Sequence, residues 1–558
     1  MCQQFNQGLD LFTQFETNGT IVPYGTPPVN SVERKPRVAK ALLGLATSLL
    51  ISAMLTGCAV GPDFKRPEAP AAAGYVPHQT VEQTASASRS ARDAQHFDAL
   101  KDIPFDWWTL FQSPQINSLI EKAFKANPTI EAAQAALRQA QQNVVAQQGF
   151  FYPTVGLEYL PTRNKLAGNM GGNSPGIQGN GTLIQTYSNP AGPAPYNGPV
   201  YYNFHTAQVT LNYVPDVFGG NRRALESLEA QTEFQKFQLE ATYITLASNV
   251  IAAALQEASL RAQITAIQNI VEDNRKTLDI VRHQFKFGYV TGIDVSDQEL
   301  ALSQAEQALI PLQQQLEQTR DLIRVLAGHL PGDDVPETFE LSSLHLPQEL
   351  PLSIASRLVE QRPDVRAAEE QVHAANAQIG VALANRFPQF SITGMLGGEA
   401  SVPSQMFQTG GGFFNLIGDI AVPIFDGGTL RAREQGSREA LVQAAAQYKS
   451  TVLAAFQNVA DTLHAIQSDA EAFKTARKSE QAAKNALDIT RKQYEVGQVS
   501  YQILLAADQT YQQSTITLTQ IQTNRFGDTA ALYQALGGGW WHRTDEAMLG
   551  TQKGEQSQ

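Results

Sequence analysis

The chain carries the same unit twice. Asn127-Pro128-Thr129-Ile130-Glu131-Ala132-Ala133 is followed by Phe151-Tyr152-Pro153. Arg362-Pro363-Asp364-Val365-Arg366-Ala367-Ala368 is followed by Phe387-Pro388, and both proline pairs stand at one offset of 235 residues. Further along, Leu278-Asp279-Ile280-Val281-Arg282-His283-Gln284-Phe285 matches Leu487-Asp488-Ile489-Thr490-Arg491-Lys492-Gln493-Tyr494, and Gly288 matches Gly497, all at an offset of 209. Fixed offsets of this kind mark a duplication. Whatever one copy builds, the other builds again, which constrains the fold more than any single residue does.

Within each copy the hydrophobic period changes. Proline at the first turn opens a helix over residues 128–149. Beyond Pro153 the period is two: Val155, Leu157 and Tyr159 alternate with small or polar residues, as do Ala207, Val209, Leu211 and Tyr213. The second copy repeats the alternation over residues 390–395 and 416–422. With its flanks each run has about ten residues, enough for a tilted strand to cross a bilayer, although any half-buried strand alternates in this way. Residues 161–204 and 398–412, rich in Gly with Asn, Pro or Ser, join the strand pairs. Long loops on one side are what the outer face of a barrel requires.

The helical signal is stronger. No Pro or Gly occurs between Gly220 and Gly288, which allows about 100 Å of helix at 1.5 Å per residue. Its apolar positions step by four and three through Leu246, Val250, Ala253, Glu257, Leu260, Ile264, Ile267, Val271, Asn274, Leu278, Val281 and Phe285. That is a heptad rhythm with two polar exceptions, Glu257 and Asn274. Gly288 and Gly292 break it, and a return helix is expected over residues 294–326. The second copy has the same gap in Pro and Gly from Gly436 to Gly497, then a return helix over residues 501–536. Each copy therefore reads as a strand pair feeding an antiparallel coiled-coil hairpin.

Residues 34–57 read as an export signal. Arg34, Lys35, Arg37 and Lys40 form a basic start, and residues 41–56 form an apolar run too short for an ordinary membrane span. The run ends in Leu55-Thr56-Gly57-Cys58, which resembles a bacterial lipobox, with Cys58 as the lipidation site once residues 1–57 are removed; the alternative is an uncleaved anchor helix. Ala59, rather than Asp, follows the cysteine and favours the outer membrane. The polar residues before the basic start fit neither reading, and a start near Val32 is expected. Cys2 and Cys58 are the only cysteines, so removal of the leader leaves no intrachain disulfide. The net charge of −12 argues against nucleic acid. No His/Cys metal spacing, HExxH, GxSxG or Walker-type loop is present, and neither enzyme activity nor a cofactor is expected.

Four strands cannot close a barrel alone, because their edges would stay unpaired in lipid. Several chains must contribute, and three would supply twelve strands. Around these patterns, Cys58-Ala59-Val60-Gly61-Pro62-Asp63-Phe64, Trp107-Trp108-Thr109-Leu110-Phe111, Leu350-Pro351-Leu352-Ser353-Ile354-Ala355-Ser356-Arg357, the Arg362 motif, Phe387-Pro388, the Val422-to-Arg431 stretch and Ala535-Leu536-Gly537-Gly538-Gly539-Trp540-Trp541 resemble NodT-type outer-membrane factor lipoproteins, relatives of TolC. The resemblance implies a mainly α fold with membrane β: four strands per chain in a 12-stranded trimeric barrel, and long helical hairpins as a periplasmic tunnel. It further implies a homotrimeric exit duct for small molecules, joined to a periplasmic adaptor and an inner-membrane RND-type transporter.

The expected segments are a leader (1–57), a lipidated tether and docking segment (58–118), the first copy (119–328, tip near 288), an equatorial linker (329–350), the second copy (351–541, tip near 497) and a polar tail (542–558). By resemblance, the tip residues Arg282, Gly288, Arg491, Tyr494 and Gly497 meet the adaptor, and the plain alternative is that the glycines only reverse the chain. Related chains carry an Asp nine residues past the second tip glycine, where three copies narrow the tunnel. Here that position is Ala506, and Asp508 lies about 200° round the helix from it. Asp294, Asp297, Gln502 and Asp508 are the gate candidates, with solvated surface roles as the alternative. Asp216 and Asp426 are expected to play structural roles at the strand-to-helix joins, Asp426 as a helix cap, and Arg222, Arg223, Arg431 and Arg433 to face lipid head groups. A duct for protein or peptide secretion, and a poreless periplasmic scaffold, are the rival functions.

Overall fold

The computed structural model describes residues 59–68, 70, 74–76, 84, 94–98, 101–166, 176–177, 183–184, 200–352 and 355–543. The leader, Cys58 and residues 544–558 lie outside these. Among the described residues the chain forms two compact units, one within 59–64, 142–229 and 374–441, the other within 65–141, 230–373 and 442–543. Each unit thus draws on both copies of the repeat.

Strand pairing explains the first unit. β1 (Thr154–Leu166), β2 (Val200–Tyr213), β3 (Gln389–Ala400) and β4 (Gly412–Ala421) form one antiparallel sheet in that order. The central ladder joins the copies, with Tyr213 opposite Ile392 and His205 opposite Ala400. The strands are longer than their alternation indicates. β1 continues past Pro161, which pairs with His205. β1 lies at the sheet edge, where a missing N–H is best tolerated.

The register lines up one apolar face. Leu157 lies opposite Val209, Val209 opposite Leu396, and Leu396 opposite Phe414. These side chains point to solvent: Leu157 is 84% exposed, Phe414 82% and Leu416 74%. The other face carries Glu158, Gln208, Asn212, Thr393, Asn415 and Asp419. On it, Gln208 donates to Glu158 at 2.9 Å and Thr393 to Asn212 at 3.2 Å. Neither β1 nor β4 has a second neighbour among the described residues.

Eight helices of the described residues follow the repeat: α1 (Pro114–Ala126), α2 (Pro128–Gly149), α3 (Gly220–Lys286), α4 (Gly292–Leu326), α5 (Ala355–Gln361), α6 (Pro363–Ala384), α7 (Thr429–Glu495) and α8 (Tyr501–Ala535). α3 and α7 have 67 residues each, and α4 and α8 have 35 each. α7 runs straight through Gly436, since one glycine costs a long helix only about 1 kcal/mol. α4 tolerates Pro311 in its interior because Leu302, Leu309 and Leu312, on both sides of it, pack on Ile267, Ile270 and Val271 of α3.

Eleven of the twelve heptad positions in α3 are buried, and only Phe285, at the tip, is exposed. Both polar exceptions have partners, although the buried Glu257 Oε2 accepts no hydrogen bond among the described residues. Glu257 accepts from Arg261 at 2.7 Å and Arg320 at 3.0 Å, while Asn274 donates to the Ile270 carbonyl at 3.0 Å and accepts from Gln298 at 3.0 Å. The duplication extends to the hairpin bases. Asn127 Nδ2 donates to the Leu326 carbonyl and Arg362 Nη1 to that of Ala535, each at 2.9 Å. Donors and acceptors are related by the two sequence offsets, although the donor has changed from amide to guanidinium. The dense aromatics also dock as expected: Trp107 and Phe111 are fully buried, and Trp107 stacks on Tyr533 at 5.3 Å.

Candidate functional site

Two places carry the candidate residues: the strand-to-helix joins in the first unit and the hairpin tips in the second. At the joins the carboxylates are caps. Asp216 accepts the N–H groups of Asn221 and Arg222 at 2.9 Å each, and Asp426 those of Gly428 at 2.9 Å and Leu430 at 2.7 Å. The Leu430 and Gly428 N–H groups hold the Asp426 carboxyl below the usual carboxylate range. Among the four arginines expected to face lipid, Arg222 binds Asp216 at 3.3 Å and Arg223 is buried, which removes it from that role. Arg431 and Arg433 are exposed.

The two tips share one turn. Gly288 and Gly497 have φ of 76° and 74°, the left-handed region that only glycine enters without cost. A Cβ on either would meet nothing within 4 Å, so the requirement is conformational. Around the turns Phe287 is 70% exposed, Tyr289 81% and Val496 70%.

Beside the turns, the copies diverge. Arg282 and Arg491 are equivalent at the 209 offset, and so are Glu299 and Asp508. Arg282 donates to Glu299 at 2.7 Å in an exposed pair. Asp508 instead faces a cavity of about 200 Å³ lined by Asp273, Thr277, Arg491, Tyr501 and Leu504, and Gln512 donates to it. Burial, reinforced by the Asp273 charge and opposed by Arg491, pushes the Asp508 carboxyl up to about 6.

The remaining gate candidates separate. Asp294 serves its own helix end, accepting the N–H and the hydroxyl of Thr291 at 2.7 Å each, and these bonds keep its carboxyl below the usual range. Asp297 accepts from Gln502 at 3.3 Å, a direct link between hairpins. A second link escaped the sequence reading: Tyr501 donates to Gln298 at 2.6 Å, and Gln298 donates to the Asn274 carbonyl at 2.8 Å. The polar break in the heptad at Asn274 was its only signal. Tyr494 packs edge-on against Tyr501 at 5.8 Å. Cys58 lies outside the described residues. Among those residues no group of three His, Cys, Asp or Glu is placed to hold a metal, and no helix is long and apolar enough to cross a membrane.

A sheet with an exposed apolar face, joined to paired long helices that turn on glycine tips, is the fold of solved outer-membrane channels. The chain belongs to the outer membrane efflux protein family, whose profile matches residues 119–329 and 354–538. It is an outer-membrane efflux protein of the Gram-negative type. It is 26% identical over 511 residues to the probable efflux pump outer membrane protein TtgC of Pseudomonas putida, covering 91% of this chain and 98% of that one. It is 26% identical over 438 residues to the pyoverdine export outer membrane protein OpmQ of the same species, covering 78% and 88%. The crystal structure of the CmeC outer membrane channel of Campylobacter jejuni shares the fold, with a TM-score of 0.74, 19% identity, and coverage of 89% of this chain and 98% of that one.

Proposed function

We propose that three copies of the chain close a twelve-stranded barrel in the outer membrane and a helical tunnel beneath it, forming a passive exit duct. The sheet carries this reading. Its apolar face is exposed, its opposite face carries most of the carboxylate, amide and hydroxyl side chains, and both edge strands lack a second neighbour among the described residues. In lipid such edges must be paired, and identical copies pair them symmetrically. The polar face would line the lumen and carry out no chemistry. Cys58 supplies a lipid anchor.

The exposed apolar tips about Gly288 and Gly497, with Arg282, Arg491 and Tyr494 beside them, suit docking of a periplasmic adaptor, which would join the duct to an inner-membrane RND-type transporter. OpmQ is named for pyoverdine, and another relative for toluene efflux. A duct shared by such unlike cargoes takes its selectivity from the transporter, and small toxic molecules are the cargo class proposed here. For the gate, the Asp297–Gln502 and Tyr501–Gln298 links are the fasteners that hold the hairpins closed. Asp508 lies in the packing between them, and Asp294 contributes only by capping.

Conductance in a planar bilayer, with mass by light scattering in detergent, tests the duct. A trimer is expected that conducts weakly at rest and strongly as Gln502→Ala with Tyr501→Phe. A monomer without conductance overturns the reading.

A further inference from the structure

We propose that residues 59–64 are a strap seated in a slot built for them at the base of the sheet, and that Arg223 is the positioning residue that holds it. Arg223 Nε donates to the Val60 carbonyl at 3.2 Å, and Nη2 to the Gly61 carbonyl at 3.3 Å and to Asp63 Oδ1 at 2.7 Å. Asn376 Nδ2 donates to the Pro62 carbonyl at 2.9 Å, and the Val60 N–H donates to the Phe218 carbonyl at 3.0 Å. Three consecutive strap carbonyls and one N–H are therefore met by groups from both copies of the repeat: Phe218 and Arg223 from the first, Asn376 from the second.

The slot is also cut to the thickness of a backbone. A Cβ on Gly219 would sit 2.4 Å from the Ala59 Cα, and one on Gly380 would sit 2.8 Å from the Val60 carbonyl oxygen. Gly61 meets Gly380 so closely that its own Cβ would lie 2.6 Å from the Gly380 Cα. Any side chain at these positions would push the strap out.

The consequence concerns the anchor, and this part rests on Cys58 being acylated. Ala59 adjoins Cys58 and touches Gly219, a few residues beyond the end of β2. The strap therefore fixes where the acyl chains enter the bilayer, beside the membrane wall. It also ties the first strand-to-helix join to α6 of the second copy.

The test is hydrogen exchange at the Val60 amide in the full-length protein extracted from outer membranes, with the N-terminal peptide weighed in the same run. Val60 should be protected, and Arg223→Ala should speed its exchange about tenfold while amides of the β2 ladder keep their protection. Arg223→Lys, with one point donor for three acceptors, should restore only part of it. Asp63→Asn leaves the body of the protein untouched, because that side chain is 90% exposed, and should give a smaller rise. An unprotected Val60 in the wild type, or protection unchanged in both Arg223→Ala and Asp63→Asn, overturns the strap. An unacylated N-terminal peptide with Val60 still protected overturns the lipid anchor alone and upholds the strap.

Discussion

At the first strand-to-helix join Phe218 stacks on Phe387 at 4.7 Å, Arg223 is buried, and residues 59–64 lie across the turn. At the second, Asp426 caps α7 just as Asp216 caps α3, yet Ile424 and Phe425 are 95% and 93% exposed. The backbone turn has been kept in both copies while the side chains around it have changed. One join is completed by its own chain. The other presents two large apolar groups that, in the proposed trimer, a neighbouring copy covers. That difference makes Ile424 and Phe425 the residues at which a seam between copies can be tested.

The contrast can be broken most severely at the sheet. Leu416→Arg puts a charge on the apolar face at a cost of about 2–4 kcal/mol per copy, while Asn415→Arg on the polar face should be tolerated. Membrane fractionation should find the first variant out of the outer membrane and the second in it. Next comes the seam. Phe425→Ser removes about 2 kcal/mol of burial per copy only once copies associate, so sedimentation should show dissociated chains that are still folded. Phe218→Ser should instead lower the melting temperature of the single chain. Smaller still are the caps: Asp216→Ala should cost about 1 kcal/mol in thermal unfolding, and Asp426→Ala less, since that carboxylate is open to water.

The finest contrast lies at the tips. Asp508 binds its proton more tightly folded, near 6, than at its ordinary value of 3.8. Between these values the folded state holds a proton that the unfolded state has released, so stability of the second tip falls as pH rises from about 4 to 6 and levels off above. Protection factors of amides near Asp508, corrected for the intrinsic pH dependence of exchange, should fall across that window, and Asp508→Asn should abolish the fall.

The long helices and their tips were legible because a heptad and a pair of offset glycines are local signals. Their ends were read to within a few residues, except where α7 begins at Thr429 instead of after Gly436. Strand existence was legible, but strand length was not: Pro161 looks like a terminus, and only its place on an edge strand shows otherwise. The tip glycines and helix caps could be read directly. The buried Arg223, the Tyr501–Gln298 link and the matched Asn127 and Arg362 contacts could not. Each depends on which distant segment packs beside a residue, and spacing along the chain does not carry that. For Asp508, the displacement of about 200° from Ala506 agrees with a carboxylate that lines the cavity beside Asp273 and Tyr501.

The ladder between β2 and β3 has a consequence for how the molecule is made. Tyr213 pairs with Ile392 and His205 with Ala400, so 179 to 195 residues separate the partners. When β2 emerges on the far side of the inner membrane, the strand it needs has not yet been exported. An apolar hairpin of β1 and β2 must wait, edge bare, while the whole first coiled coil and its linker follow. Contacts of such long range form slowly and leave aggregation-prone strands exposed in the meantime. The first coiled coil, whose two helices adjoin in sequence, can form during that interval. The β2–β3 ladder is therefore expected to close after the first coiled coil has formed, and until then the waiting hairpin is the segment most exposed to aggregation.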